Sequence, residues 1–179
     1  MGSPKALLPY QGRPFLQHLL DVTRHPKIGI RRIVLGPHAT AILQNVALDP
    51  AELVVNADWR KGQLSSIQAA LHSLPEGRTD GMLLCLVDHP LISADLVADL
   101  INSFYITRAP IVLPTYFGRR GHPVIFSAAL YPELLAAPLE QGARAVVWAH
   151  KMEIAEVPTN EEGILLNLND PEALRKLTG

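Results

Sequence analysis

Four short stretches carry residue types that could do chemistry. Asp88 follows the apolar run Met82-Leu83-Leu84-Cys85-Leu86-Val87 and precedes His89-Pro90. A carboxylate at the carboxyl end of a strand stands at the sheet edge where ligands bind. It suits Mg²⁺, which takes one or two carboxylates and completes its shell with phosphate oxygens and water. An Asp that merely opens a turn or helix reads the same way. Asn56-Ala57-Asp58-Trp59-Arg60-Lys61-Gly62-Gln63-Leu64-Ser65-Ser66 runs from a strand end through a glycine into a helix. Free N–H groups at a helix start, with an amide and two hydroxyls, make an anion or base-edge site. Plain N-capping by Ser65 or Ser66 is compatible with that reading. Arg119 and Arg120, between Gly118 and Gly121 and ahead of His122-Pro123, can reach phosphate or carboxylate, or form a solvated hairpin tip. Asn167-Leu168-Asn169-Asp170-Pro171 could present one amide oxygen to a metal, or simply start a helix.

Other chemistries find no support. The seven histidines have no metal-ligand spacing such as HExxH, and neither a GxSxG elbow nor a Walker loop occurs. Cys85 sits within an apolar run with no base nearby, which argues against a nucleophile.

These residues need elements to position them, and the chain alternates apolar runs with helical patterns. Pro14 suits the first turn of a helix reaching about His25. Strands are predicted at 32–35, 53–55, 82–87, 111–113, 122–126, 152–157 and 163–168. Helices are predicted at about 38–47, 63–74, 93–105, 128–136, 142–150 and from Pro171. The apolar run 82–87 predicts a central parallel strand buried on both faces. Alternating strands and helices imply a Rossmann-like three-layer α/β/α sandwich with a mostly parallel sheet.

At 179 residues the chain suits one domain, spanning 1–179. Hydrophobic residues make up 48%, enough for a substantial core, and the net charge is −1. No basic excess points to nucleic acid or to a membrane surface. One cysteine excludes a disulfide framework and suits a reducing compartment, so a cytoplasmic protein is expected. Neither a signal peptide nor an apolar run of transmembrane length is evident.

The order of these stretches is more specific than any one of them. SPKALLP…GRPFL, NADWRKGQLSSIQAAL, LVDHPLIS, GRRGHPVIF, GARAVV and NLNDPEAL together resemble the molybdenum cofactor cytidylyltransferases, within the wider nucleotidyltransferase superfamily. The resemblance covers residues 2–174, and GQLSS, DHP and GHPV are its most specific parts. It implies that a terminal phosphate of molybdopterin attacks the α-phosphate of CTP and releases pyrophosphate. Guanylyl transfer and sugar-phosphate nucleotidyl transfer are the rival activities. A catalytically silent nucleotide or pterin carrier serving a molybdoenzyme is the rival of another class. By resemblance, Lys5 contacts the phosphates and is catalytic with Asp88. Asp88 and Asn169 hold Mg²⁺. Asn56, Gln63, Ser65 and Ser66 line the nucleotide pocket, and Arg119, Gly121 and His122 face the acceptor. A molybdoenzyme or its maturation factor is an implied partner. Relatives begin with a strand and a Gly-rich loop, and the resemblance implies that this chain starts at the tail of that loop.

Overall fold

Pro14 ends a two-residue strand, and the helix after it starts one residue later than the sequence suggests. The computed structural model describes residues 4–167. In chain order the elements are β1 (Pro9–Tyr10), β2 (Arg13–Pro14), α1 (Phe15–Val22), β3 (Ile33–Leu35), α2 (Ala39–Asn45), β4 (Leu53–Val55), α3 (Gln63–His72) and β5 (Gly81–Leu84). There follow α4 (Ala94–Thr107), β6 (Ile111–Tyr116), β7 (Arg119–Arg120), β8 (Val124–Ser127), α5 (Tyr131–Ala136), α6 (Arg144–Ala149) and β9 (Ile154–Pro158). Helix α1 stops short of His25. The Thr23 hydroxyl donates to the Leu19 carbonyl at 2.6 Å, and Pro26 disfavours helical backbone at His25. No helix among the described residues is long and apolar enough to cross a membrane.

The strands form two separate sheets beside the β1–β2 hairpin. β3 and β4 pair in parallel. The larger sheet runs β5-β8-β6-β7, with β9 parallel to β6 and the other pairs antiparallel. Alternation along β6 sends side chains to opposite faces. Ile111 and Leu113 join Leu64, Ile67 and Leu71 of α3, Leu134 of α5 and Val146 of α6. Val112 joins Val97, Leu100 and Ile101 of α4 on the other face. The result is the expected three-layer α/β/α arrangement. A third cluster ties Leu16 and Leu20 of α1 to β3 and to Ile42 of α2.

Two expectations are corrected. The strand expected at 82–87 spans Gly81–Leu84, pairs antiparallel with β8 alone, ends its sheet among the described residues, and is only half-buried. The last pair is Leu84 with Val124. The residue before Val124 is Pro123, which has no N–H to donate, so the ladder stops there. The strand expected at 163–168 is instead a 3₁₀ turn over Glu162–Leu165, so Asn167 does not lie on a strand.

Helix α4 is anchored at its start. The Ser93 hydroxyl accepts from the Leu96 N–H at 3.0 Å, and the Glu161 carboxylate accepts from the Ser93 N–H at 2.9 Å. Ser93→Ala removes this cap and should cost about 1–2 kcal/mol, read as a lower urea midpoint at unchanged slope.

Candidate active site

Lys5 opens a 3₁₀ turn over Lys5–Leu7 whose Ala6 is buried against Leu16 of α1 and Leu35 of β3, with Val87 alongside. That anchor places Lys5 at the carboxyl ends of β3 and β5. Its Nζ lies 3.7 Å from Asp88 Oδ2, and the two side chains are 28% and 23% exposed. An ion pair this long and this wet holds its partners loosely, so an incoming phosphate or cation can compete for either one. Lys5, Gln63, Ser66 and Asp88 all line one cavity of about 660 Å³.

Asn56 directly follows β4 and is buried. Its amide nitrogen donates to the Ser65 hydroxyl at 2.9 Å and to the Ser66 hydroxyl at 3.0 Å, while its carbonyl oxygen accepts from the Asp58 N–H. The Ser65 hydroxyl donates to the Gly62 carbonyl at 2.7 Å, with the Asp58 carbonyl at 3.1 Å. Ser65 is buried, and its polar capacity is used to fasten the 56–62 loop to α3. The residue at the N-cap of α3 is Gly62, with φ 95°, and no side chain caps it. The start of α3, with Gln63 and Ser66 in its first turn, therefore lacks a side-chain cap from its N-cap residue.

On the other side of Asp88, the Gly121 N–H donates to the Pro114 carbonyl at 3.0 Å and the His122 N–H to the Ile164 carbonyl at 3.0 Å. A side chain at Gly121 would put its Cβ 2.5 Å from the Ile164 oxygen, so glycine is needed there. The His122 and His89 rings lie 4.8 Å apart, inclined at 48°. Both Nδ1 atoms are buried without a hydrogen-bond partner. Burial pushes the His122 imidazole down to about 4; His89 beside it acts in the same direction and Asp88 against it. His89 is lowered too, first by burial, with the Asp88 carboxylate opposing. Both rings are thus held neutral near pH 7, and they form an uncharged wall next to the Lys5–Asp88 pair.

The pH consequence has a definite sign. His122 binds its proton near 6.5 when unfolded and near 4 when folded. Stability from this group is complete above about pH 6.5 and is lost as pH falls toward 4, by about 3 kcal/mol across the window. His122→Gln should flatten the fall in urea midpoint between pH 6.5 and 4. An equally steep fall in the variant would locate the acid sensitivity elsewhere.

Arg119 stands apart, exposed on the β6–β7 hairpin and not in the cavity wall. Its neighbour Arg120 pairs with Glu156 at 2.8 Å. Asn169 lies outside the described residues. The sequence did not assign His89 a role, although a signal was present: both rings belong to His-Pro pairs, His89-Pro90 in the loop after β5 and His122-Pro123 just before β8. Among the described residues no group of three or more His, Cys, Asp or Glu side chains could hold a metal. Asp88 alone matches an ion whose shell is completed by substrate phosphates and water.

Residues 1–154 match the family model described as the MobA-like NTP transferase domain. The chain belongs to the MobA-like NTP transferase family. The chain of this transferase family is 34% identical over 142 residues to nicotine blue oxidoreductase of Paenarthrobacter nicotinovorans, covering 72% of this chain and 65% of that one. It is 28% identical over 121 residues to bifunctional protein GlmU of Pseudomonas aeruginosa, covering 65% of this chain and 26% of GlmU. The chain thus spans less than two thirds of the length of these relatives. Among solved structures, Rv0371c of Mycobacterium tuberculosis superposes with a TM-score of 0.83 at 27% identity, covering 99% of this chain and 89% of that one. A manganese complex of Rv0371c gives a TM-score of 0.78 at 26% identity, covering 97% and 90%. Molybdopterin-guanine dinucleotide biosynthesis protein A of Archaeoglobus fulgidus, at 15% identity and a TM-score of 0.67 over 98% and 89%, shares the fold.

Proposed function

We propose that the chain, acting as one domain, is a Mg²⁺-dependent nucleotidyltransferase that moves CMP from CTP to the terminal phosphate of a molybdopterin-type acceptor. The supporting observation is the Lys5–Asp88 pair at the mouth of a cavity that also presents Gln63 and Ser66. An oxygen of the acceptor phosphate attacks the α-phosphorus. The bond to the bridging oxygen breaks, and its electron pair leaves with pyrophosphate. No protein nucleophile is needed, so the residues act by positioning and by neutralising charge. Lys5 places a cation against the triphosphate. Asp88 would hold the metal ion, which supplies charge neutralisation and orientation when bound. A manganese complex of Rv0371c accords with a divalent ion at such a site. Asn56 and Ser65 hold the loop that presents Gln63 and Ser66 to the nucleotide. In this reading Gly121 and His122 face the acceptor, and Arg119, exposed on its hairpin, and Asn169, outside the described residues, keep acceptor and metal roles only as what the family resemblance implies. The lone cysteine, Cys85, accords with a cytoplasmic setting.

A second reading is favoured by one observation, the 34% identity to a relative named as an oxidoreductase. There the same cavity mouth would hold a nucleotide cofactor instead of a triphosphate substrate. Titration calorimetry with CTP, GTP, ATP, NADH and NADPH, each with and without Mg²⁺, separates the two. The transferase reading predicts Mg²⁺-dependent binding of CTP, tighter than that of GTP or ATP. Binding of NADH or NADPH alone would favour the oxidoreductase.

A further inference from the structure

The β6–β7 hairpin closes with the turn Tyr116-Phe117-Gly118-Arg119, in which Tyr116 pairs with Arg119. Its two central residues both have positive φ, 46° at Phe117 and 73° at Gly118. Such a turn favours Asn, Asp or Gly, which tolerate left-handed backbone. For a side chain as bulky as phenylalanine that backbone is an outlier. The Phe117 residue is also 87% exposed, and its ring meets Tyr116 edge-on at 4.7 Å. The β1–β2 hairpin closes on the same pair of positive φ angles, but with the polar Gln11 ahead of Gly12. Neither turn geometry nor core packing therefore accounts for an aromatic ring at position 117. Strained positions of this kind gather at active sites and ligand clamps.

The hairpin stands on the same sheet edge as the candidate active site. β5 and β6 both run antiparallel to β8, so their carboxyl ends share one edge. Asp88 lies beyond the first and Phe117 beyond the second. Between them stand His89 and His122, with rings 4.8 Å apart. The Gly121 N–H donates to the Pro114 carbonyl, which sets Gly121 opposite Pro114. Phe117 follows Pro114 along the hairpin, and at about 3.3 Å per residue it is carried roughly 10 Å past that level. The Arg120–Glu156 pair at 2.8 Å ties β7 to β9 and steadies the hairpin. A molecule with its phosphate at Lys5 and Asp88, lying along the two imidazoles, reaches the hairpin with its far end. The ring there offers a π face, which recognises flat aromatic systems and gives little to a saturated chain.

We propose that Phe117 is a specificity-determining residue, a platform that stacks on a flat heteroaromatic ring at the end of the acceptor remote from its reacting phosphate. The substrate class is then a phosphate ester joined to a fused aromatic ring roughly 10 Å away, in preference to a sugar phosphate. This rests on the transferase reading above. The strained turn is retained because the ring serves the ligand.

The test compares the protein with its Phe117→Asn and Phe117→Trp variants. The probe is a fluorescent pterin bearing a side-chain phosphate ester, and calorimetry with CTP and Mg²⁺ runs beside it. Phe117→Asn should bind the probe about 10-fold more weakly, since base–aromatic stacking is of that order. Its CTP affinity should be unchanged and its melting temperature no lower, because Asn suits the turn. Phe117→Trp should restore probe binding to about the original level, because it keeps a π face. In turnover, Phe117→Asn should raise KM for a molybdopterin acceptor and leave KM for CTP alone. Equal probe binding in Phe117→Asn would overturn the proposal, as would a loss that Phe117→Trp does not restore or a marked drop in melting temperature. A change in mass by light scattering with probe binding intact would also overturn it and make Phe117 a contact between copies. A protein that binds CTP but not the probe would overturn the proposal and leave nucleotidyl transfer standing. Binding of neither would remove both.

Discussion

Asp88→Ala is expected to lower nucleotidyl transfer by about 10³-fold while the protein still folds. Asp88 is the cavity-lining carboxylate that lies 3.7 Å from Lys5 and in the electrostatic reach of the two neutral histidines. Its oxygens cannot be replaced by a methyl group as ligands for a metal or as partners for a cation. Removing one preorganised group that stabilises transition-state charge typically costs about 10²–10³ in turnover, and losing the metal's protein anchor places Asp88 at the upper end. The fold should tolerate the change, because a partly exposed ion pair contributes about 1 kcal/mol or less. Pyrophosphate release and a thermal melt measured on the same preparation separate the two effects. Lys5→Met should also reduce turnover, and the double variant should lose far less than the product of the two, since the pair acts as a unit. Unchanged turnover in Asp88→Ala would remove the carboxylate from the mechanism.

Gly163→Ala is expected to cost the fold about 3 kcal/mol or more. A Cβ at this position would collide with the Leu91 carbonyl oxygen and lie 2.9 Å from the Leu91 carbonyl carbon. Both are backbone atoms, so no side chain can swing away, and overpacking of this kind typically costs about 1–3 kcal/mol and sometimes more. The damage should reach the site, because the turn over Glu162–Leu165 carries Ile164, which is fully buried and whose carbonyl accepts from the His122 N–H. Gly36→Ala is the control. A Cβ there meets only Trp59 side-chain atoms, at 3.5 Å and 3.7 Å, which is ordinary contact. Urea unfolding should show a large drop in midpoint for the first variant and little change for the second. Equal midpoints would mean that the 162–165 turn is free to move away from Leu91.

The layered architecture was readable because periodicity reports burial. The apolar alternation of β6 and the three- and four-residue spacing of α3 both follow from which faces are covered. Asp88 was readable because it is the first charged residue after an apolar run, although β5 itself ends four residues earlier, at Leu84. Pairing was not readable. The run 82–87 has the composition of a strand with neighbours on both sides, but composition does not name the neighbours, and the structure gives it β8 alone, in antiparallel register. The spacing of Ser65 and Ser66 suggested capping or ligand contact, whereas Ser65 is taken up by Asn56, Gly62 and Asp58. Apart from the local bond to Gly62, three positions away, that network joins residues seven and nine positions apart across a loop, which no periodicity encodes. The His89–His122 contact joins two loop segments far apart in sequence, so only their shared His-Pro context hinted at it.

The most direct measurement is pyrophosphate release by the protein with CTP, GTP and ATP, each with or without Mg²⁺ and with or without a molybdopterin acceptor. The account predicts release that requires Mg²⁺ and the acceptor, is fastest with CTP, and disappears in Asp88→Ala. A folded protein that releases no pyrophosphate with any of the three triphosphates would contradict it.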